Sequence, residues 1–163
     1  MTATRYAVPV SLRAAYAEWL GHRPWDLMAT VTSERRTHPE ALHKRIRYCW
    51  HKVADHLYGK RWERRGEGIE YVCGMERHKS GWPHSHVLLR LANVDLRDPD
   101  QFNLAYWQKW MTETGGFVRL DRPRSQADVI SYCAKYVVKD GDLILSDNLN
   151  PLEAGDQLAM PLR

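Results

Sequence analysis

Hydrophobic and polar positions recur with two different periods along the chain, and these periods define its elements. Runs rich in β-branched and apolar residues predict four strands, at 25–32, 69–76, 84–91 and 117–120. Apolar residues at helical spacing predict four helices, at 12–20, through 42–57, at 102–114 and at 125–139. The long second helix follows Thr37-His38-Pro39-Glu40, which has the form of a capping box with proline in the first turn.

The order of these elements predicts an α+β fold. Strand, helix, strand, strand, helix, strand is the βαββαβ order of RRM and ferredoxin-like folds, with a mainly antiparallel sheet and helices packed against it. The last helix is an addition at the C-terminal end of that core. Periodicity fades after Gly141, so we assign residues 1–141 to one domain and 142–163 to a tail or linker.

Composition narrows the class of protein. A chain of 163 residues can bury the core of one domain, and it has no apolar run of the ~20 residues that cross a membrane. The N-terminal residues lack the pattern of a secretory signal. Three cysteines, odd in number and far apart, favour free thiols in a reducing compartment over a disulfide framework. We therefore expect a cytoplasmic protein with no membrane partner.

The charge balance favours a nucleic-acid partner. Net charge is +4 and the sequence pI is near 9.0, with seven Trp and eight Tyr. The segment 58–68 is basic and aromatic, and its Lys60, Arg61, Arg64 and Arg65 are candidates for contacts with DNA phosphates. The alternative for this segment is a solvated loop.

Two histidines supply the first candidate chemistry. In a strand, His84 and His86 point to the same face, where two imidazoles can bind one divalent metal. If residues 77–83 form the hairpin connection, Glu76 lies opposite His84 and shares that face. The set suits Mn²⁺ or Mg²⁺, with imidazole favouring Mn²⁺. Two alternatives remain, namely solvated histidines on a surface strand and a Glu76 that pairs with Arg77 or Lys79.

The last helix supplies a nucleophile. On a helical wheel its polar face carries Tyr132, Lys135, Tyr136 and Lys139, with the two tyrosines one turn apart. A metal beside an exposed tyrosine suggests phosphoryl transfer to the phenol oxygen, with Lys135 placed to stabilise the phenolate. The alternative is a pair of tyrosines on a solvated helix.

Three motifs in order resemble those of the HUH endonucleases. Pro83-His84-Ser85-His86-Val87-Leu88-Leu89 resembles their second motif, Tyr132-Cys133-Ala134-Lys135 their third, and Ala29-Thr30-Val31-Thr32 their first. The overlapping run 132–139 is similar to the two-tyrosine form of some phage and plasmid replication initiators. The resemblance covers residues 25–139.

This resemblance implies a rolling-circle replication initiator that nicks and rejoins DNA. It would bind single-stranded or hairpin origin DNA, cut one strand through a covalent 5′-phosphotyrosine, and leave a 3′-OH that primes synthesis. Glu76, His84 and His86 would hold the metal. Tyr132 would be the first nucleophile and Tyr136 the second, with Lys135 and Lys139 as catalytic cations and Thr30 and Thr32 near the DNA.

The chain departs from the family in two places. Ser85 stands between the histidines, where the family usually has an apolar residue. No G-x-x-x-x-G-K-[ST] loop is present, so a host helicase and polymerase would be partners. The competing interpretations are a transposase or relaxase with the same chemistry, a non-catalytic RRM-like nucleic-acid binder, and a structural metal site.

Overall fold

A computed structural model describes residues 3–34, 36–65, 67–76, 82–114 and 116–149. Six strands are formed: β1 Ala3–Ala7, β2 Leu27–Thr32, β3 Ile69–Glu76, β4 His84–Leu91, β5 Phe117–Asp121 and β6 Asp142–Ser146. Four α-helices are formed: α1 Arg13–Gly21, α2 Pro39–Tyr58, α3 Leu104–Glu113 and α4 Gln126–Tyr132. Short 3₁₀ turns at Val10–Leu12 and Trp62–Arg65, and a π-helical turn at Cys133–Val137 that continues α4, complete the elements.

All six strands form one antiparallel sheet in the order β1-β6-β3-β4-β2-β5. Its inner part, from β2 to β5 with α2 and α3 as connections, is the predicted βαββαβ unit. The fold is therefore α+β of the ferredoxin-like or RRM type, as the sequence predicts.

The two faces of the sheet bury different helices. One face packs its side chains, such as Leu27, Tyr71 and Val87, under α2 and α3. The other face buries Val72 and Leu88 under α1 and α4. Because side chains alternate along a strand, Glu76, His84 and His86 belong to the second face, beside α4.

The predicted hairpin register is confirmed. Glu76 lies directly opposite His84, and β2 lies on the other side of β4 with Thr32 opposite His84 and Thr30 opposite His86. Of the connecting residues, 77–81 lie outside the described part of the chain. Three strands therefore bring one acid, two histidines and two threonines to one end of the sheet.

The sequence analysis missed the two outermost additions to the core, β1 and β6. Residues 142–146 belong to the sheet and not to a tail, since β6 pairs with both β1 and β3. All five β6 residues are buried, so the strand lacks the apolar–polar alternation that reveals a half-exposed strand. The order of the chain after residue 149 lies outside the described part.

Two further observations concern the thiols and the helices. The free cysteines Cys49, Cys73 and Cys133 are all buried, in agreement with a set of unpaired thiols. Among the described residues, no helix combines the length and apolar character that a membrane crossing requires.

Candidate metal centre and tyrosine helix

Three side chains converge at the end of β3 and the beginning of β4. Glu76 Oε2 lies 3.1 Å from His86 Nε2 and 4.0 Å from His84 Nε2. One ligand atom of each residue lies within 4.8 Å of the others. Two imidazoles and one carboxylate on one face form a three-donor set with open positions, which fits a divalent ion such as Mn²⁺.

The protonation states of the cluster suit metal binding. A hydrogen bond from Lys139 Nζ to Glu76 Oε1, at 2.5 Å, holds the pKa of Glu76 below its ordinary value. Burial lowers the pKa of His86. At neutral pH both groups are therefore free of the proton that would compete with a metal.

Each histidine has a hydrogen-bond partner on the ring nitrogen that faces away from Glu76. Thr32 Oγ1 lies 2.7 Å from His84 Nδ1, and the Tyr132 hydroxyl lies 3.1 Å from His86 Nδ1. With a proton on each Nδ1, both Nε2 atoms present a lone pair toward Glu76. Such partners fix the tautomer and the orientation of metal-binding histidines.

The two tyrosines have different environments. The Tyr132 hydroxyl donates to the carbonyl oxygen of Ala29 at 2.8 Å, and burial raises its pKa. Tyr136 is 42 % exposed, and its ring stacks on His86 at 4.6 Å between centroids with 29° between the planes. Only Tyr136 thus combines solvent access with contact to the metal cluster.

This result corrects the helical wheel, which put both tyrosines on the polar face. The buried side of α4 and its continuation consists of Val129, Cys133 and Val137, with Tyr132 partly buried beside them. Ala127, Ile130 and Ala134, which the wheel assigned to the apolar side, are exposed. The helix is covered by α1 as well as by the sheet, so its buried side is turned relative to the wheel.

The lysines also differ from the prediction. Lys139 reaches Glu76, whereas Lys135 is exposed and forms no hydrogen bond or ion pair with any residue that the structure describes. The turn Cys133–Val137 is π-helical, with the amide of Val138 donating to the carbonyl oxygen of Cys133 at 3.1 Å. Wide turns of this kind are rare and occur often at functional sites.

Gly74 allows this turn to approach the sheet. A Cβ atom at Gly74 would lie 2.0 Å from the carbonyl oxygen of Val137, closer than any packed contact. The sequence carried a signal for this approach, because a glycine within an apolar strand pattern indicates close backbone contact. The sequence analysis did not use it.

The structure separates the DNA-contact candidates. Thr30 and Thr32 lie beside the histidines. The basic segment follows the C-terminal end of α2 and precedes Ile69, the first residue of β3, so it lies at the opposite end of the sheet from Glu76, roughly 20 Å away at ~3.3 Å per strand residue. Lys60, Arg61 and Arg64 are exposed there. Arg65 instead pairs with Glu67 and donates to the carbonyl oxygen of Tyr58.

Comparison with known families identifies one match. A family model described as replication-associated protein ORF2 matches residues 26–141. This range contains the metal cluster and both tyrosines. No curated protein and no solved structure matches the chain.

Proposed function

The chain belongs to the replication-associated protein ORF2 family, and on that premise we propose that it is a metal-dependent DNA endonuclease and strand transferase. It nicks single-stranded or hairpin origin DNA and starts rolling-circle replication through a 5′-phosphotyrosine. One observation carries the proposal: the Glu76, His84 and His86 cluster lies in contact with the accessible ring of Tyr136.

The three ligands would hold Mn²⁺ or Mg²⁺. The bound ion supplies polarisation of the scissile phosphate and compensates the charge that develops on it. Thr32 and Tyr132 keep the Nδ1 atoms of the two histidines protonated and directed away from the cluster. Lys139, paired with Glu76, adds a cation at the rim of the cluster.

Tyr136 is the proposed nucleophile for the first cut. Its phenol oxygen loses a proton to solvent and forms a bond to phosphorus, while the bond from phosphorus to the 3′ oxygen breaks. The departing oxygen takes up a proton and becomes the 3′-OH that primes synthesis. Rejoining runs the same steps in reverse when a 3′-OH attacks the phosphotyrosine.

The geometry gives Tyr132 a positioning role in this scheme. Its hydroxyl lies on the Nδ1 side of His86, whereas Glu76 lies on the Nε2 side. A phosphate held at the cluster is therefore on the far side of the imidazole from Tyr132. This assignment reverses the order expected from the sequence, in which Tyr132 acts first, and it makes Lys139 rather than Lys135 the cation of the site.

The test is covalent capture of DNA. The protein is incubated with 5′- and 3′-labelled single-stranded oligonucleotides carrying origin hairpins, with Mn²⁺ or with chelator, and resolved under denaturing conditions. We expect a metal-dependent adduct with the label on the 3′ fragment, which carries the 5′ phosphate. The adduct should map to Tyr136 by peptide mass, and it should be absent from Tyr136→Phe.

The same experiment separates the competing functions. Absence of an adduct with every oligonucleotide, together with retained DNA binding, would support a non-catalytic RRM-like binder. An adduct that forms on transposon-end or transfer-origin hairpins but not on replication origins would support a transposase or relaxase. Both have the same chemistry at the same residues.

A further inference from the structure

The outward side of α2 carries a basic surface that the nicking reaction does not use. We call it the α2 surface and define it by Lys44, Arg47, Tyr48, His51 and Lys52. These five residues line a depression of about 370 Å³. Within the described part of the chain, Lys44, Arg47 and Lys52 take part in no ion pair.

We propose that the α2 surface binds the sugar–phosphate backbone of duplex DNA next to the nicking site. This inference extends the proposed function, because it assigns a second DNA-binding surface to the same protein. Lysine and arginine side chains on a helix bind phosphates without reading sequence.

The shape of the surface favours a duplex over a flexible single strand. Lys44 and Lys52 are eight residues apart on one helix, so their Cα atoms are separated by about 12 Å, which is close to the width of the major groove. The aromatic ring at the centre is already engaged. Tyr48 stacks on Trp110 of α3 at 6.4 Å, and Lys52 Nζ lies 5.6 Å from its centroid. A ring held in this way is not free to stack on unpaired bases, which single-strand binding uses.

A second cavity connects the α2 surface to the metal end of the sheet. This cavity of about 230 Å³ shares Lys44 and Arg47 with the first depression and extends to Met75. Met75 precedes Glu76 on β3, and the two side chains lie on opposite faces of the sheet. Its wall also includes His43, whose buried Nε2 has no hydrogen-bond partner in the described part of the chain. DNA on the α2 surface can thus pass around the strand end and reach the metal face.

The test compares two triple variants that each remove three positive charges. The first is Lys44→Gln/Arg47→Gln/Lys52→Gln. The control, Arg97→Gln/Lys109→Gln/Arg124→Gln, removes exposed cations elsewhere. Fluorescence anisotropy measures binding to a duplex of about 20 bp and to a single strand of equal length, between roughly 50 and 200 mM salt.

We expect the first variant to lose on the order of 10²-fold in duplex affinity near 150 mM salt, with a salt slope smaller by roughly 2.7, at 0.9 per phosphate contact. The control should change affinity by less than about threefold. Equal loss in both variants, no loss in either, or equal loss for single strand and duplex would each overturn the proposal. Single Lys44→Gln and Lys52→Gln variants, each expected to lower the slope by about 0.9, repeat the test with the least effect on folding.

Covalent capture keeps this proposal distinct from the nicking proposal. The first triple variant should still form the adduct with a short single strand, because none of its residues touches the metal cluster. Wild-type protein that binds duplex through the α2 surface yet forms no adduct would refute the nuclease and leave the duplex site standing. A protein that forms the adduct but binds duplex as tightly after the triple substitution would do the opposite.

Discussion

Tyr132→Phe is the substitution that separates a nucleophile from a positioning residue. The Tyr132 hydroxyl donates to the Ala29 carbonyl at 2.8 Å and lies 3.1 Å from His86 Nδ1. Phenylalanine fills the same space but leaves the His86 N–H without its partner in a largely buried position. An unsatisfied buried donor costs about 1–3 kcal/mol, and losing the partner of a metal-binding histidine weakens metal affinity about 10- to 100-fold.

The assay measures three quantities on one protein. Differential scanning calorimetry should show a lower Tm, and titration calorimetry should show weaker Mn²⁺ binding by the factor given above. At saturating Mn²⁺ the DNA adduct should still form. Tyr106→Phe is the matched control, because Tyr106 is 56 % exposed and its hydroxyl bonds to nothing in the described part of the chain. Loss of the adduct at saturating Mn²⁺, with Tm and Mn²⁺ affinity unchanged, would refute the positioning role and identify Tyr132 as the nucleophile.

Two more substitutions test the supports of the site. Gly74→Ala brings a Cβ within 2.0 Å of the Val137 carbonyl, so it should lower stability by about 1–3 kcal/mol or more and reduce nicking; Gly59→Ala, with nothing within 4 Å of its Cβ, should retain full nicking, and equal nicking by the two variants would contradict the close approach. Thr32→Val removes the partner of His84 Nδ1 and should weaken Mn²⁺ binding about tenfold in a calorimetric titration, and unchanged affinity would show that the 2.7 Å contact does not orient His84.

The sequence could predict the metal half of the site because that half depends on local geometry. The alternation of side chains along a strand puts His84 and His86 on one face, and a hairpin whose strands end at Glu76 and begin at His84 leaves one natural register. Both steps involve residues close together in the chain. The structure confirms them, with Glu76 opposite His84.

The tyrosine half could not be predicted in the same way, because it depends on contacts between distant parts of the chain. Which side of α4 is buried is decided by α1 and the sheet together, and a wheel drawn for one helix contains neither. The pairing of Lys139 with Glu76 crosses 63 positions of the sequence. β6 has a related cause, since a strand buried on both faces loses its period.

His86 links the two halves mechanically. Its Nε2 faces Glu76, its Nδ1 faces the Tyr132 hydroxyl, and its ring face carries Tyr136. Three separate requirements of the proposed reaction therefore converge on one imidazole: a metal ligand, a fixed tautomer and a surface that holds the nucleophile. A rotation of this ring moves the metal-binding nitrogen and the stacked tyrosine together. The π-helical turn and the missing side chain at Gly74 bring the helix close enough for both tyrosines to contact that ring, which explains why a rare backbone turn lies at this point of the fold.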